Sequence, residues 1–319
     1  MPCSLPSAAD GNPVVGRLAP SPTGVLHLGN ARSFLLAWLS VRSRGGELQL
    51  RIEDIDGPRL KAGAAAAALE DLRWLGLDWD GEPIWQSRRT EHYDRATAAL
   101  VAAGQAYPCV CSRKEIEQAA SAPHEPWLDA TPYPGICRGR YVSVDAARDA
   151  TGREPALRFA VDVAEVPFAD GFRGPEKGPI RGDFVIRKRD GGAAYQLAVV
   201  VDDAAGGVTE VLRGDDLLPS TPRQLLLYQA LGLRPPRFLH VPLVVGPDGR
   251  RLAKRHGDTS LRHLRAAGAS ADQLVGYLAE RGGLVQGKTR CTPHDLLADF
   301  DLARLHRTPV DGTTHGFTP

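Results

Sequence analysis

Arg17-Leu-Ala-Pro-Ser-Pro-Thr-Gly-Val-Leu-His-Leu-Gly-Asn30 is the stretch whose reading decides the fold. Val14 and Val15 ahead of it read as the end of a β-strand. Pro20 and Pro22 forbid helix and keep the backbone extended. Gly24 permits a sharp turn or the close approach of a ligand. Past His27-Leu-Gly-Asn30 the pattern changes, and Ala31, Phe34, Leu35, Trp38 and Leu39 recur at helical spacing. The stretch is therefore a strand, a tight polar loop and the start of a helix. Such a junction collects free backbone N–H groups and the positive end of a helix dipole, which suits a phosphate. His27 and Asn30 share one face of it. By itself a loop of this kind also occurs as a plain capped helix start, so its neighbours decide its meaning.

Working outward, Gly45-Gly46 ends the first helix, and Leu48, Leu50 and Ile52 alternate with polar residues as a second strand. That strand runs into Arg51-Ile-Glu-Asp-Ile-Asp56, with Arg59 beyond. Helices are predicted over 62–75, stopped by Gly76, and over 90–103, stopped by Gly104. Strand, helix, strand and further helices fit a doubly wound parallel sheet with its ligand at the strand ends. Residues 107–141 break the pattern: Cys109-Val-Cys111, a polar helix, then a Pro-rich loop with Tyr133 and Cys137. They read as an insertion between two halves of the sheet. Tyr195-Gln-Leu-Ala-Val-Val-Val201 is a near-continuous apolar run, expected as a central parallel strand ending in Asp202-Asp203. Val211-Leu-Arg-Gly-Asp-Asp216, a helix over 223–231, an apolar strand over 241–245 and a basic loop over 246–258 follow. Helix is expected over 260–305.

Composition sets the outer bounds. The chain has 319 residues, 43% of them hydrophobic, enough for one large or two moderate domains with a sizeable core. The net charge of +1 excludes a strongly basic coat for nucleic acid, so RNA contacts must come from local patches. An odd, sparse count of 5 cysteines argues for a reducing compartment and against a disulfide scaffold. No secretory signal and no membrane span is legible. The expectation is a cytoplasmic protein with no membrane and no obligate protein partner.

P-S-P-T-G-x-L-H-L-G-N resembles the H-I-G-H signature of class I aminoacyl-tRNA synthetases, in the form used by the glutamyl and glutaminyl branch, with Asn30 in place of the last His. Arg51-Ile-Glu-Asp-Ile-Asp56 with Arg59 resembles the R-I-E-D-x-D-x-x-R of glutamyl-tRNA synthetases. Without that match, the same residues describe a solvated acidic turn equally well. Arg251-Leu-Ala-Lys-Arg255 resembles the K-M-S-K-S loop, Lys254 falling on its second Lys, while Arg251, Ala253 and Arg255 depart from the pattern. The resemblance covers about residues 14–260. It implies an α/β, Rossmann-type class I catalytic domain with an inserted zinc-bearing subdomain and a short helical C-terminal region. The expected plan is a disordered 1–12, a first half-domain 13–106, the insert 107–185, a second half-domain 186–258, a helical 259–305 and a loose 306–319.

The resemblance also implies roles. His27, Asn30 and Lys254 would be catalytic. ATP, with Mg²⁺, would lie against Thr23, His27, Gly29, Asn30, Arg251 and Lys254. L-glutamate would be held by Arg17, Leu18, Ala19, Pro20, Ser21, Glu53, Tyr195 and Arg213. Its two carboxylates and one ammonium match two arginines and a glutamate, and Arg supplies a planar fork that Lys lacks. Three close thiols suit structural zinc, and in the family Tyr133 completes a set with Cys109, Cys111 and Cys137; Cys3 and Cys291 lie outside it. Only about sixty residues follow the basic loop. That brevity and the C-x-C…Y-x-x-x-C pattern resemble the glutamyl-Q tRNA(Asp) synthetase paralogues. These activate glutamate without tRNA and transfer it to the queuosine base of the tRNA(Asp) anticodon. A truncated conventional glutamyl-tRNA synthetase charging a 3′ end, and an inactive paralogue serving as a binding module, are the alternatives.

Overall fold

The structure, a computed structural model, describes residues 13–119, 132–246, 248, 252 and 259–311. Strand β1 (Val15–Leu18), helix α1 (Leu28–Arg42), strand β2 (Glu47–Ile52), helix α2 (Ala64–Trp74), strand β3 (Ile84–Trp85) and helix α3 (Thr90–Ala102) open the chain. β1, β2 and β3 form a parallel ribbon, Val15 facing Glu47 and Arg51 facing Ile84. Next come β4 (Ala106–Cys109), α4 (Arg113–Ala119), α5 (Val144–Thr151), β5 (Ala156–Phe159), β6 (Phe168–Asp170), β7 (Gly174–Glu176) and β8 (Phe184–Arg187). β4, β5 and β8 make an antiparallel sheet, and β6 and β7 a hairpin. The strands β4 and β8 straddle the expected seams at 106/107 and 185/186. After them come α6 (Tyr195–Ala205), β9 (Glu210–Gly214), α7 (Thr221–Ala230) and β10 (Arg237–Val241), with β9 and β10 parallel. The Thr209 amide donates to the Val15 carbonyl at 2.8 Å, which sets β9 beside β1. The parallel strands therefore run β3-β2-β1-β9-β10, and the chain reverses direction across the sheet between β1 and β9. α1 packs against β1, β2 and β9, burying Leu35, Leu36, Trp38 and Leu39 in the main core.

Four expectations are corrected. Residues 195–201 form the start of a helix, α6, not a strand. Leu197, Ala198, Val199 and Val200 are all buried, so the run carries no amphipathic stripe, and a helix buried on every side reads like a parallel strand. The strand placed at 241–245 is instead β10, ending at Val241, and a separate β11 (Val244–Val245). Pro242 has no N–H to continue a ladder. The region 260–305 is helical only through α8 (Leu261–Ala266) and α9 (Ala271–Arg281). Gly282-Gly283 follows, with Gly283 at φ +85°, and short turns take over. The loose 306–319 begins ordered, since β12 (Val310–Asp311) pairs with β11. The expected disorder at 1–12 lies outside the described residues. No described helix is long and apolar enough to cross a membrane.

Candidate active site

The C-terminal ends of β1, β2 and β9 open on a cleft of about 570 Å³. Arg17, Ala19, Pro20, Ser21, Thr23, His27, Gly29, Asn30, Glu53, Tyr195 and Arg213 all line it. It sits where the strand order reverses, which is where open α/β sheets bind ligands. Leu18 is fully buried beneath it and does not line it. Arg251 and Lys254 lie outside the described residues. The ends of their loop are placed: Val244 lines the cleft. Leu28 donates to Thr259 at 3.1 Å, and Leu261 to Leu26 at 2.9 Å. The return of the basic loop is thus stapled to the start of α1.

His27 is the N-cap of α1. Its Nδ1 accepts from the Gly29 amide at 3.1 Å, and Asn30 Oδ1 accepts from the His27 amide at 3.2 Å, a reciprocal capping box. With Nδ1 accepting, the neutral ring carries its proton on Nε2. A Cβ on Gly29 would stand 3.1 Å from His27 Cε1, so glycine there leaves room for the ring. The expected pool of free amides is corrected: the Leu28, Gly29 and Asn30 amides are bonded within the protein. The dipole end remains, but the first three amides of α1 are not free for an anion.

A buried ion network floors the cleft. Asp203 Oδ1 accepts from Arg51 Nη1 at 2.5 Å and lies 3.6 Å from Arg17 Nε. Arg51 Nη2 reaches Glu53 Oε1 at 3.3 Å, and Ser21 Oγ donates to Glu53 Oε2 at 3.3 Å. Asp202 accepts from Gln86 and Tyr93 at 2.8 Å and from Arg89 at 2.6 Å. Burial lowers the pKa of Arg51, but Asp203, Glu53 and Asp202 outweigh it and hold the guanidinium above its ordinary value. Burial pushes Glu53 above the usual carboxylate range, with Arg51 and Arg17 pulling the other way. Asp202 and Asp203, expected at a strand end, sit on the last turns of α6 and hold arginines.

Arg213 is different. It is 4% exposed, and its hydrogen-bond partners among the described residues are all neutral. Nε donates to His240 Nε2 at 2.9 Å, and Nη2 to Thr221 Oγ1 at 2.9 Å and Gln224 Oε1 at 2.8 Å. The group lies over the Phe238 ring at 5.1 Å. Nη1 is buried with no hydrogen-bond partner among the described residues. Burial lowers its pKa, yet an arginine stays charged. A buried cation with no carboxylate against it, at a cleft wall, is a receptor for an anion. His240, Asp170, Thr221 and Gln224 were not legible as site residues; a polar His240 inside the apolar run Phe238-Leu-His-Val241 was the one available signal.

Apart from the cleft, Cys109, Cys111 and Cys137 bring three sulfurs within 4.8 Å of one another, a group that can hold a metal. The Tyr133 hydroxyl lies 3.4 Å from Cys109 Sγ and 3.7 Å from Cys111 Sγ, and accepts from the Cys137 amide at 2.8 Å. Arg158 Nε donates to Cys109 Sγ at 3.2 Å, which favours a thiolate. Three sulfurs and one oxygen at these spacings fit a tetrahedral site.

Residues 13–309 match the family of class I tRNA synthetases (E and Q), catalytic domain. The chain belongs to that family. It is 52% identical to the glutamyl-Q tRNA(Asp) synthetase of Symbiobacterium thermophilum over 92% of this chain and 94% of the relative. A glutamate–tRNA ligase of Oleidesulfovibrio alaskensis is 41% identical over 96% of this chain and 64% of its own length. Within the family the chain therefore groups with the glutamyl-Q tRNA(Asp) synthetases. A solved glutamate tRNA ligase of Elizabethkingia meningosepticum in complex with its amino acid superposes with a TM-score of 0.79 at 28% identity, covering 94% of this chain and 67% of that one.

Proposed function

We propose that this chain joins L-glutamate to ATP without tRNA, releases pyrophosphate, and transfers the glutamyl group to the queuosine base of the tRNA(Asp) anticodon. Arg213 carries the reading. In this cleft the side-chain carboxylate of glutamate would bond Arg213 Nη1, Arg17 would approach the other carboxylate, and Glu53 would accept the ammonium. Tyr195 closes the wall between them. An oxygen of the α-carboxylate attacks the α-phosphorus of ATP in line, and pyrophosphate leaves. No protein nucleophile is needed, so positioning and charge neutralisation do the work. The His27 Nε2–H would donate to a phosphate oxygen, with Thr23, Gly29 and Asn30 beside it. Arg251 and Lys254, on a loop whose ends are fixed at the cleft rim, would add positive charge, and Mg²⁺ bound with ATP would neutralise further phosphate charge. A queuosine hydroxyl then attacks the adenylate carbonyl and AMP leaves. The part of the insert around residues 107–150 would hold the anticodon stem-loop, whose single-stranded bases can be splayed into a pocket.

The test uses labelled glutamate with tRNA(Asp) bearing or lacking queuosine. Label is expected on the modified tRNA alone, and should survive nuclease removal of the 3′ end. Label on the terminal adenosine would assign conventional charging. No glutamate-dependent ATP–pyrophosphate exchange at all would assign a binding module.

The metal at Cys109, Cys111, Tyr133 and Cys137 is proposed to be zinc, tying the two segments of the insert together. Protein purified without chelator should carry one zinc per chain by elemental analysis. Cys109→Ser should lose it and melt more than about 5 °C lower, because thiolate ligation is coupled to folding. Full-length protein with no zinc and wild-type melting would sink the assignment.

A further inference from the structure

Arg213 is held from behind by His240, which is held in turn by Asp170; neither residue lines the cleft. Asp170 ends β6, on the hairpin of the inserted segment, and His240 lies in β10; they are 4% and 0% exposed. His240 Nδ1 and Asp170 Oδ2 are 2.6 Å apart. Asp170 Oδ1 is already committed, accepting from the amides of Phe172 and Arg173 at 2.9 Å and of His240 at 3.2 Å. A guanidinium can only donate, so Arg213 Nε–H obliges His240 Nε2 to accept. The imidazole proton therefore sits on Nδ1, where it is donated to Asp170. Burial, opposed by the Asp170 carboxylate, holds His240 below its ordinary pKa, so the ring is neutral. Its plane stacks on Phe238 within 16° at 6.2 Å, on the same ring that Arg213 covers.

We propose that Asp170 and His240 are positioning residues for substrate. Asp170 fixes the histidine tautomer, and His240 with Thr221 and Gln224 fixes the guanidinium plane so that Nη1 faces the incoming carboxylate. The proposal rests on Arg213 as the carboxylate receptor. It also makes the hairpin of the inserted segment part of the glutamate site.

Asp170→Asn isolates the effect because it is isosteric. Three amide donors pin the Asn oxygen in the Oδ1 place, so its NH₂ must face His240 Nδ1. The ring proton then moves to Nε2 and confronts Arg213 Nε–H, donor against donor. The KM for glutamate in pyrophosphate exchange should rise about 10- to 100-fold, as for other outer-shell partners, with the KM for ATP held within about twofold. Nitrogen NMR of the variant should show the protonated and unprotonated His240 nitrogens interchanged. His240→Gln, which returns an acceptor oxygen toward Arg213, should lose about tenfold less than His240→Leu. In the His240→Gln background Asp170→Asn should add no further rise, since no tautomer remains to invert. An equal rise in that background, or an unchanged KM in Asp170→Asn, overturns the proposal. If Asp170→Asn does not fold, the Gln-versus-Leu contrast at 240 decides: equal losses overturn it. Should Arg213→Leu itself leave the glutamate KM unchanged, the receptor reading fails instead.

Discussion

Replacing Arg213 with leucine should lower glutamate-dependent ATP–pyrophosphate exchange by about 10²- to 10³-fold while the protein melts no lower than wild type. The two halves of that expectation have one cause. Arg213 is a buried guanidinium whose partners, His240, Thr221 and Gln224, are all neutral. In the free protein the more distant charge of Asp203 does not outweigh its desolvation, so removing the guanidinium recovers that cost and offsets the loss of its bonds to His240, Thr221 and Gln224. The compensation comes only with substrate, whose carboxylate supplies the missing anion. An arrangement that costs stability and serves binding is a signature of a functional site. The same logic sets selectivity. Glutamine would bring an amide to Arg213, leave the cation unpaired, and should exchange about 10²-fold or more slower than glutamate. Exchange within tenfold of wild type in the leucine variant, or a drop in melting temperature as large as that of a broken ion pair, would contradict the assignment.

Much of this site was legible in the sequence because short motifs carry local geometry. Strand, Pro-rich loop and helix start follow from residues 14–39 alone, and the cleft forms where that junction meets the end of β2. The misreadings have a common physical origin. Buried segments lose the periodicity that distinguishes helix from strand, so α6 read as a strand. Its Asp202 and Asp203 were therefore read as the end of that strand, when they sit on the last turns of α6 and hold Arg89, Arg51 and Arg17. Free amides were expected at the start of α1 because no linear pattern reveals that Thr259, some 230 residues on, returns to accept from Leu28. His240 and Asp170 are separated by 70 residues and meet only across the hairpin and β10. Their pairing is a property of topology, which spacing cannot show.

Asp203 is the counterpart of Arg213, and its loss should affect the fold first. Asp203→Ala is expected to cost about 3–5 kcal/mol, a fall in melting temperature on the order of 10 °C. Asp203 is 1% exposed and is the carboxylate shared by Arg51, at 2.5 Å, and Arg17, at 3.6 Å. Removing it leaves two buried cations, on the neighbouring parallel strands β1 and β2, short of the carboxylate they share. Glu53 cannot replace it: its oxygens are divided between Arg51 and Ser21, and burial already pushes its pKa up. Arg17, whose Nε has no hydrogen-bond partner among the described residues, would lose the ion pair that orients it toward the cleft. Activity should thus fall beyond what instability explains, seen as a raised glutamate KM at temperatures where the variant is fully folded. A thermodynamic cycle separates a network from a list of contacts. In an Arg51→Met background one stranded cation is gone, so Asp203→Ala should cost at least about 1 kcal/mol less than in the wild type. Equal costs in the two backgrounds would mean that Asp203 and Arg51 do not share their energy, and the floor of the cleft would have to be held by packing alone.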